Sequence, residues 1–434
     1  MATNINRRSF LKGTAGAAAL GAASSTFFAP SLISAQGGDT ELILWTSFGS
    51  GPNGEAQAKL IEDYNAQGNG VTVTSSIYAN YEELANAVLT GLPSGDIPHL
   101  AVLSDVWWFT FYLRGALADL TDHVDTPEDY VESLFVEYQR NGGQYAIPFA
   151  RSTPLFYFNR EALEAAGLDE SIFENWETFR ENGPTLVEAG GVDAAFGFGS
   201  ATGYGAWFMH GPVWAFGGRY SDEDFNILID EEGAVNTGEF MREFVQNYGA
   251  AAVNDVSADF NTGALGAIIQ STGSLGSITE GAQMDFGTAK LPEGPEGFGC
   301  PTGGSGLAVL ADFSEEEIAA AADFITFCTN TENAAYWAQT TGYMPVRTSA
   351  VESDEYQAFL EENPRNQVAL EQLPLTQPQD SARVFIPNGD QIIGRGWEQV
   401  LVNNVPAADA FAEVAATLEE EKGPVLEAIA AVEG

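Results

Sequence analysis

Between Glu41 and Leu103 the chain alternates strand and helix patterns in the order βαβαβ. Glu41-Leu42-Ile43-Leu44-Trp45 is an opening strand that runs into Thr46, Ser47 and a Gly-rich turn. From Glu55 to Asn65, the residues Ala58, Leu60, Ile61 and Tyr64 fall at helical spacing. Val71-Thr72-Val73-Thr74 alternates as a strand, and Tyr81 to Leu92 reads as a second helix. His99-Leu100-Ala101-Val102-Leu103 is a third strand. Strands joined through helices lie parallel, with right-handed crossovers. This alternation confines the start of the chain to an α/β architecture. Ligands on such sheets collect at the carboxyl ends of the strands. Those ends are Thr46-Ser47, Ser75 to Tyr81, and Ser104-Asp105. Trp107 and Trp108 follow, as core residues or with one indole lining a cleft.

The segment Ile147 to Asp169 reads as strand, polar corner, strand, helix. Pro148 favours an extended Ile147. Arg151, Ser152, Thr153 and Pro154 form the corner, and Leu155-Phe156-Tyr157-Phe158 is a buried strand. Asn159 caps the next helix and Gly167 ends it. Two readings stay open: a loop between two βα units, or a crossover between lobes with Arg151, Ser152 and Thr153 facing the gap.

Further on, Asn175 caps a helix from Trp176 to Ala189, which Asn182-Gly183-Pro184 is expected to break in two. A Gly-rich loop from Gly197 to Tyr204 leads to Trp207, and Trp214 follows before Gly217-Gly218. Either indole suits the face of a sugar or polyol, although core packing is the commoner role. Ala267-Ile268-Ile269-Gln270 is a strand ending in Ser271-Thr272-Gly273-Ser274, where hydroxyls meet the free amides of a helix start. Ser274 is equally a plain helix cap. Gly304 and Gly306 allow close backbone approach. Ser314 to Glu317 is a capping box. Arg383 to Gly389 reads as extended, returning toward the cleft, and Ala407 to Ala430 as a closing helix.

Residues 1–35 are a targeting segment: Arg7-Arg8 with Lys12, an Ala/Gly-rich apolar run, and Ile33-Ser34-Ala35 as a cleavage site. The chain is therefore expected in the periplasm, exported by the twin-arginine route. The net charge is −44, and without Arg7, Arg8 and Lys12 it is −47. Such a balance argues against nucleic acid and anionic membrane surfaces as partners. It fits an acidic, solvated surface of the kind found in proteins that work in high salt. The two cysteines, Cys300 and Cys328, are either a disulfide or two buried thiols.

No phosphate-cradling loop with lysine, CxxC or HExxH is present, and His99, His123 and His210 are scattered. No cofactor or metal is implied. An exported glycan-active enzyme using paired carboxylates stands as the alternative to a binding protein.

Four ordered stretches resemble the glycerol-3-phosphate-binding proteins, solute receptors of ABC importers. They are Ile147–Asp169, Gln270–Leu275, Gly303–Leu307, and Glu332–Trp337 running on to Thr341–Pro345. The resemblance implies a two-lobed α/β periplasmic-binding-protein fold. Each lobe would be a mostly parallel sheet flanked by helices, with three hinge crossovers near Ile147–Arg151, Phe298–Thr302 and Tyr343–Arg347. Lobe one would be 36–147 plus 303–343, and lobe two 151–298 plus 348–434. The implied ligand is a polyol phosphate, a glycerophosphodiester or a sugar, delivered to a membrane permease by a monomer. The implied ligand-binding residues are Tyr81, Asp105, Ser152 beside Arg151 and Thr153, Ser271 to Ser274, Gly304 beside Ser305, and Tyr343. Trp214 is added as a stacking platform. One departure stands out: the family's phosphate-binding arginine falls at Asp390, which leaves Arg151 or Arg383 to supply charge.

Overall fold

The structure is a computed structural model that describes residues 40–199 and 204–434. The targeting segment lies outside the described residues. In chain order the strands are β1 (Thr40–Thr46), β2 (Val71–Ile77), β3 (Leu100–Ser104), β4 (Gln139–Arg140), β5 (Gly143–Gln144), β6 (Ile147–Ser152), β7 (Pro154–Asn159), β8 (Ala194–Phe198), β9 (Ala250–Ala252), β10 (Leu265–Ser271), β11 (Phe286–Ala289) and β12 (Gly303–Val309).

Two five-stranded sheets carry the fold, ordered β2-β1-β3-β12-β6 and β11-β7-β10-β8-β9, and β4-β5 is a small hairpin. The βαβαβ start appears as expected, with β1 parallel to both β2 and β3. The sheets are nevertheless mixed rather than mostly parallel. β12 runs antiparallel to β3 and β6, and β7 antiparallel to β10 and β11. These antiparallel strands flank the places where the chain changes sheet. Thr153 alone separates β6 in the first sheet from β7 in the second. A strand that enters from the other sheet has no crossover helix to set it parallel.

Capping chemistry fixes the helix starts. Asn80 Oδ1 accepts from Glu83 N at 2.8 Å, Asn159 Oδ1 from Ala162 N at 3.0 Å, and Asn175 Oδ1 from Thr178 N at 2.8 Å. Ser314 and Glu317 complete the capping box. Pro184 does not break its helix, which runs unbroken over Trp176–Gly190. An interior proline costs about 3 kcal/mol, but Trp176, Phe179, Gly183 and Leu186 bury one face. A Cβ on Gly183 would stand 2.2 Å from Tyr248 O, so the helix is seated too closely to kink freely.

Helices Asp354–Glu362 and Pro364–Gln372, expected on lobe two, place Tyr356, Leu360 and Ala369 in the core that holds Leu42, Leu44 and Val73 of the first sheet. Residues Ser381–Val384 form a helical turn rather than an extended strand. The last helix spans Ala407–Glu433. Cys300 and Cys328 are free, buried thiols that belong to different cores. No described helix is long and apolar enough to cross a membrane.

Candidate ligand pocket between the two sheets

A pocket of about 150 Å³ opens where the ends of β3, β6, β10 and β12 converge. From the first sheet's side come Tyr81, Ser104, Asp105, Ser152, Gly304 and Tyr343. The other side supplies Trp207, Phe208, Gln270, Ser271, Gly273, Ser274 and Arg383.

Tyr81 begins its helix under the Asn80 cap, and its hydroxyl donates to Ser305 Oγ at 3.2 Å. Burial pushes the Tyr81 phenol up, so it is a neutral donor at neutral pH. Asp105 follows β3 and donates its backbone N–H to Gly304 O at 3.0 Å. Gly304 has φ +101°, and a Cβ there would meet Ala150 O at 2.1 Å, so only glycine fits. On the opposite wall a Cβ at Gly273 would lie 2.4 Å from the Tyr343 ring, which itself stacks on Trp337 at 5.9 Å. Ser271 Oγ accepts from Gly273 N at 3.1 Å, while Ser274 makes no capping bond and keeps its hydroxyl for the pocket. Trp207 reaches the pocket from the helix Ala206–Ala215, with Nε1 donating to Thr302 O at 2.9 Å.

Arg383 is the one basic residue on this wall among the described residues. Its Nε donates to Asp390 Oδ1 at 2.7 Å and its Nη1 to Asp105 Oδ2 at 3.1 Å, with a further Nη1 bond to Gln379 Oε1. Gln379 Nε2 donates in turn to Asp105 Oδ2 at 2.6 Å. Burial works against the guanidinium charge, but Asp390 and Asp105 more than offset it, and the Arg383 pKa is raised. Two polar atoms of the pocket, Ser104 Oγ and Asn53 Oδ1, are buried with no partner among the described residues.

Four residues singled out from the sequence lie off this wall. Arg151 is fully buried behind it, bonded to Glu137 and, at 2.7 Å, to Tyr138 Oη. Thr153 Oγ1 accepts from Gln372 Nε2 at 2.9 Å within the core. Ser305 serves Tyr81 from beneath. Trp214 sits inside the Ala206–Ala215 helix, lines a separate surface groove of about 660 Å³, and donates Nε1 to Asp380 Oδ1 at 3.3 Å. Trp107 and Trp108 are both buried. Trp108 borders a second cavity of about 380 Å³ beyond the Asp105–Gln379 contact. Sequence reasoning missed Gln379 altogether, and missed Asp390 as a partner of Arg383. In a chain this acidic neither residue carries a local signal.

Two mixed sheets with a polar, aromatic pocket at their strand ends define a receptor for small solutes. The chain belongs to the bacterial extracellular solute-binding protein family, which matches residues 59–364. Residues 4–24 match the twin-arginine translocation signal, so the protein is exported. The sn-glycerol-3-phosphate-binding periplasmic protein UgpB of Pectobacterium atrosepticum is 25% identical over 360 residues, 77% of this chain and 79% of the relative. The crystal structure of UgpB from Mycobacterium tuberculosis in complex with glycerophosphocholine is 40% identical. It superposes with a TM-score of 0.83, covering 90% of this chain and 99% of that one. Maltose-bound T. maritima MalE3 shares the two-lobed fold at 22% identity and a TM-score of 0.77, covering 88% of this chain and 99% of that one. This protein is a periplasmic solute-binding receptor of an ABC importer.

Proposed function

We propose that the solute is a glycerophosphodiester rather than a phosphomonoester, held by Tyr81, Ser152, Ser274, Gly304, Tyr343 and Arg383. The observation that carries this reading is the state of Arg383. Of its five donors, Nε is taken by Asp390 and Nη1 by Asp105 and Gln379, which leaves Nη2 as the nitrogen available to a solute from a residue that lines the pocket. One nitrogen flanked by two carboxylates suits a single negative charge. A phosphomonoester carries about −1.5 to −2 at pH 7 and would face Asp105 and Asp390. The glycerophosphocholine bound by the 40%-identical relative supports the same choice. Titration calorimetry at pH 7 with glycerophosphocholine, glycerol 3-phosphate and maltose tests it. The diester should bind at least about tenfold more tightly than the monoester, a difference of about 1.4 kcal/mol. Tighter binding of glycerol 3-phosphate, or binding of maltose alone, overturns it.

Asp105 and Asp390 share one guanidinium, which leaves neither free as an acid or base. The protein is read as binding its solute without turnover and handing it to a permease.

Closure between the lobes supplies the mechanism in this reading. The chain changes sheet at Thr153 and again between β11 and β12. The packing of the helices up to Gln372 against the first sheet's core supports a third crossing in 373–380. Short crossings absorb backbone rotation while each lobe stays rigid. A solute touching Asp105 and Gly304 on one side and Ser271 and Trp207 on the other favours the closed form by its differential affinity. Small-angle scattering should therefore show a smaller radius of gyration on saturation with glycerophosphocholine. An unchanged radius at full occupancy counts against the hinge.

A further inference from the structure

The last helix, Ala407–Glu433, runs 27 residues, about 40 Å, and its two halves are held in different ways. The first half is seated by apolar packing. Phe411 lies on Trp397 with ring centroids 5.1 Å apart, and Val414, Ala415 and Leu418 are buried beside it. Trp397 shares a core with Phe196 of β8 in the second sheet. Past Leu418 the helix buries Val425 alone. Gly423 and Pro424 stand inside this second half, and both residue types weaken a helix. A Cβ on Gly423 would meet nothing within 4 Å, so packing does not require the glycine. The tip is held by polar bonds instead. Glu433 Oε1 accepts from Arg140 Nε at 2.6 Å and from Tyr112 Oη at 3.1 Å, and Oε2 accepts from Arg140 Nη2 at 3.2 Å. Both donors belong to the first sheet's side. Tyr112 ends the helix Trp108–Tyr112 that follows β3, and Arg140 lies in the β4-β5 hairpin that leads into β6. The Arg140 and Glu433 side chains are 33% and 20% exposed, so water screens this pair less than an open surface pair. Arg140 also borders the cavity of about 380 Å³ that lies between this contact and the pocket. At the pocket itself the two sides touch as well, where Asn53 Nδ2 donates to Gly273 O at 3.3 Å.

Resting on the closure reading above, we propose that Glu433 clasps the first lobe only when the lobes are together, and so sets solute affinity from outside the pocket. Glu433 and Arg140 are positioning residues in this role, since neither lines the pocket. The geometry leads there in two steps. A two-point guanidinium–carboxylate pair tolerates little displacement before its bonds are lost. Rotation about the crossings carries Arg140 and Tyr112 away from the seated half of the helix, so the three bonds belong to the closed arrangement. The Gly423-Pro424 step then lets the released tip fray, and the helix does not lock the lobes at one angle. Apparent affinity scales with the fraction of protein in the binding-competent form. Removing the clasp therefore weakens binding while every pocket residue stays as it was.

The test is titration calorimetry on the full chain, using whichever of glycerophosphocholine, glycerol 3-phosphate and maltose binds the wild-type protein most tightly. Glu433→Gln, Arg140→Ala and the double variant are compared with it. Each single change should weaken binding by about threefold to tenfold. The double variant should lose no more than the worse single, because both changes undo one clasp. A binding stoichiometry near that of the wild type in each variant shows that the lost affinity is not lost fold. Hydrogen exchange supplies the second readout. Saturating solute should protect the amides of residues 425–433 in the wild-type protein and leave them unprotected in Glu433→Gln. Unchanged affinity in Glu433→Gln overturns the clasp, as do additive losses in the double variant or exchange at the tip that ignores the solute. Any of these results, with a radius of gyration that still shrinks on saturation, leaves the closure reading intact. An unchanged radius at full occupancy overturns closure and the clasp together.

Discussion

Asp380→Ala should lower the unfolding free energy by about 3–5 kcal/mol, seen as a fall in the urea midpoint at unchanged slope. The Asp380 side chain is wholly buried, and it accepts from Arg219 Nη1 at 2.7 Å, Tyr220 N at 2.7 Å and Trp214 Nε1 at 3.3 Å. His210 Nε2 lies 3.0 Å from the same carboxylate, although neither imidazole nitrogen has a well-aligned hydrogen bond. Arg219 is 41% exposed and can recover water when its partner is lost. The buried N–H groups of Tyr220 and Trp214 cannot, and each unsatisfied group costs about 1–3 kcal/mol. Asp380 also stands between Gln379 and Ser381, three residues before Arg383, so it anchors the segment that brings both polar groups to the pocket. A variant with an unchanged midpoint would show that the carboxylate is not part of the fold's support.

The same network sets a pH dependence. Burial alone would raise the Asp380 carboxyl, but His210, the Tyr220 N–H and Arg219 hold it below the ordinary value of 3.8. Burial pulls His210 below its ordinary 6.5 despite Asp380. For both groups the folded state binds protons less readily than the unfolded chain. Stability is therefore fully present above 6.5 and is lost for His210 as pH falls below that value. A second loss, from Asp380, begins near 3.8. Urea titrations at pH 7.5 and 5.5 should show the first loss in the wild-type protein. It should persist in Asp380→Ala, because His210 then loses the carboxylate that favours its charge.

How far the sequence reveals this molecule depends on the range of the interaction concerned. Asn159, Asn175 and the Ser314 box act within one helical turn, and all three caps form as read. Tyr81, Asp105, Ser152 and Gly304 sit at strand ends or helix starts, so a correct list of elements carries them to one pocket. Trp207 and Trp214 were not separable, because every residue of their helix is buried and no periodicity marks the pocket side. One of the two open readings of its corner puts Arg151 facing the gap. Its partners Glu137 and Tyr138 lie 14 and 13 residues earlier, in a stretch with no strand or helix pattern of its own. The Arg383–Asp105 contact spans 278 residues, and one carboxylate among 61 acidic residues gives no hint of its partner. Strand direction was misjudged where the chain changes sheet, since β6 and β7 are each locally ordinary and only their junction sets how they pair.

Arg383→Ala should weaken glycerophosphodiester binding by about 100-fold or more. A charge-assisted bond to the ligand is worth about 1.5–3 kcal/mol. Its loss also strips Asp105 and Asp390 of their shared cation, so the phosphate would meet two unpaired carboxylates. Arg383→Lys should recover only part of the loss, because one ammonium cannot hold Asp105, Asp390 and Gln379 while still presenting a donor to the pocket. Arg151 provides the contrast. Its guanidinium lies behind the pocket, bonded to Glu137 and Tyr138, and Glu137 also accepts from Thr302. Arg151→Ala leaves Glu137 buried without its cation, which costs about 3–5 kcal/mol of stability. Burial already pushes the Glu137 carboxyl up, and only Arg151 and Thr302 oppose that rise. Both variants should lower the urea midpoint, since Arg383→Ala also leaves buried carboxylates without their cation, but they should separate in affinity: Arg383→Ala loses it, and Arg151→Ala keeps most of it in the protein still folded. The reverse pattern, with affinity lost at Arg151 and kept at Arg383, would mean that the ligand's charge is met on the other side of β6.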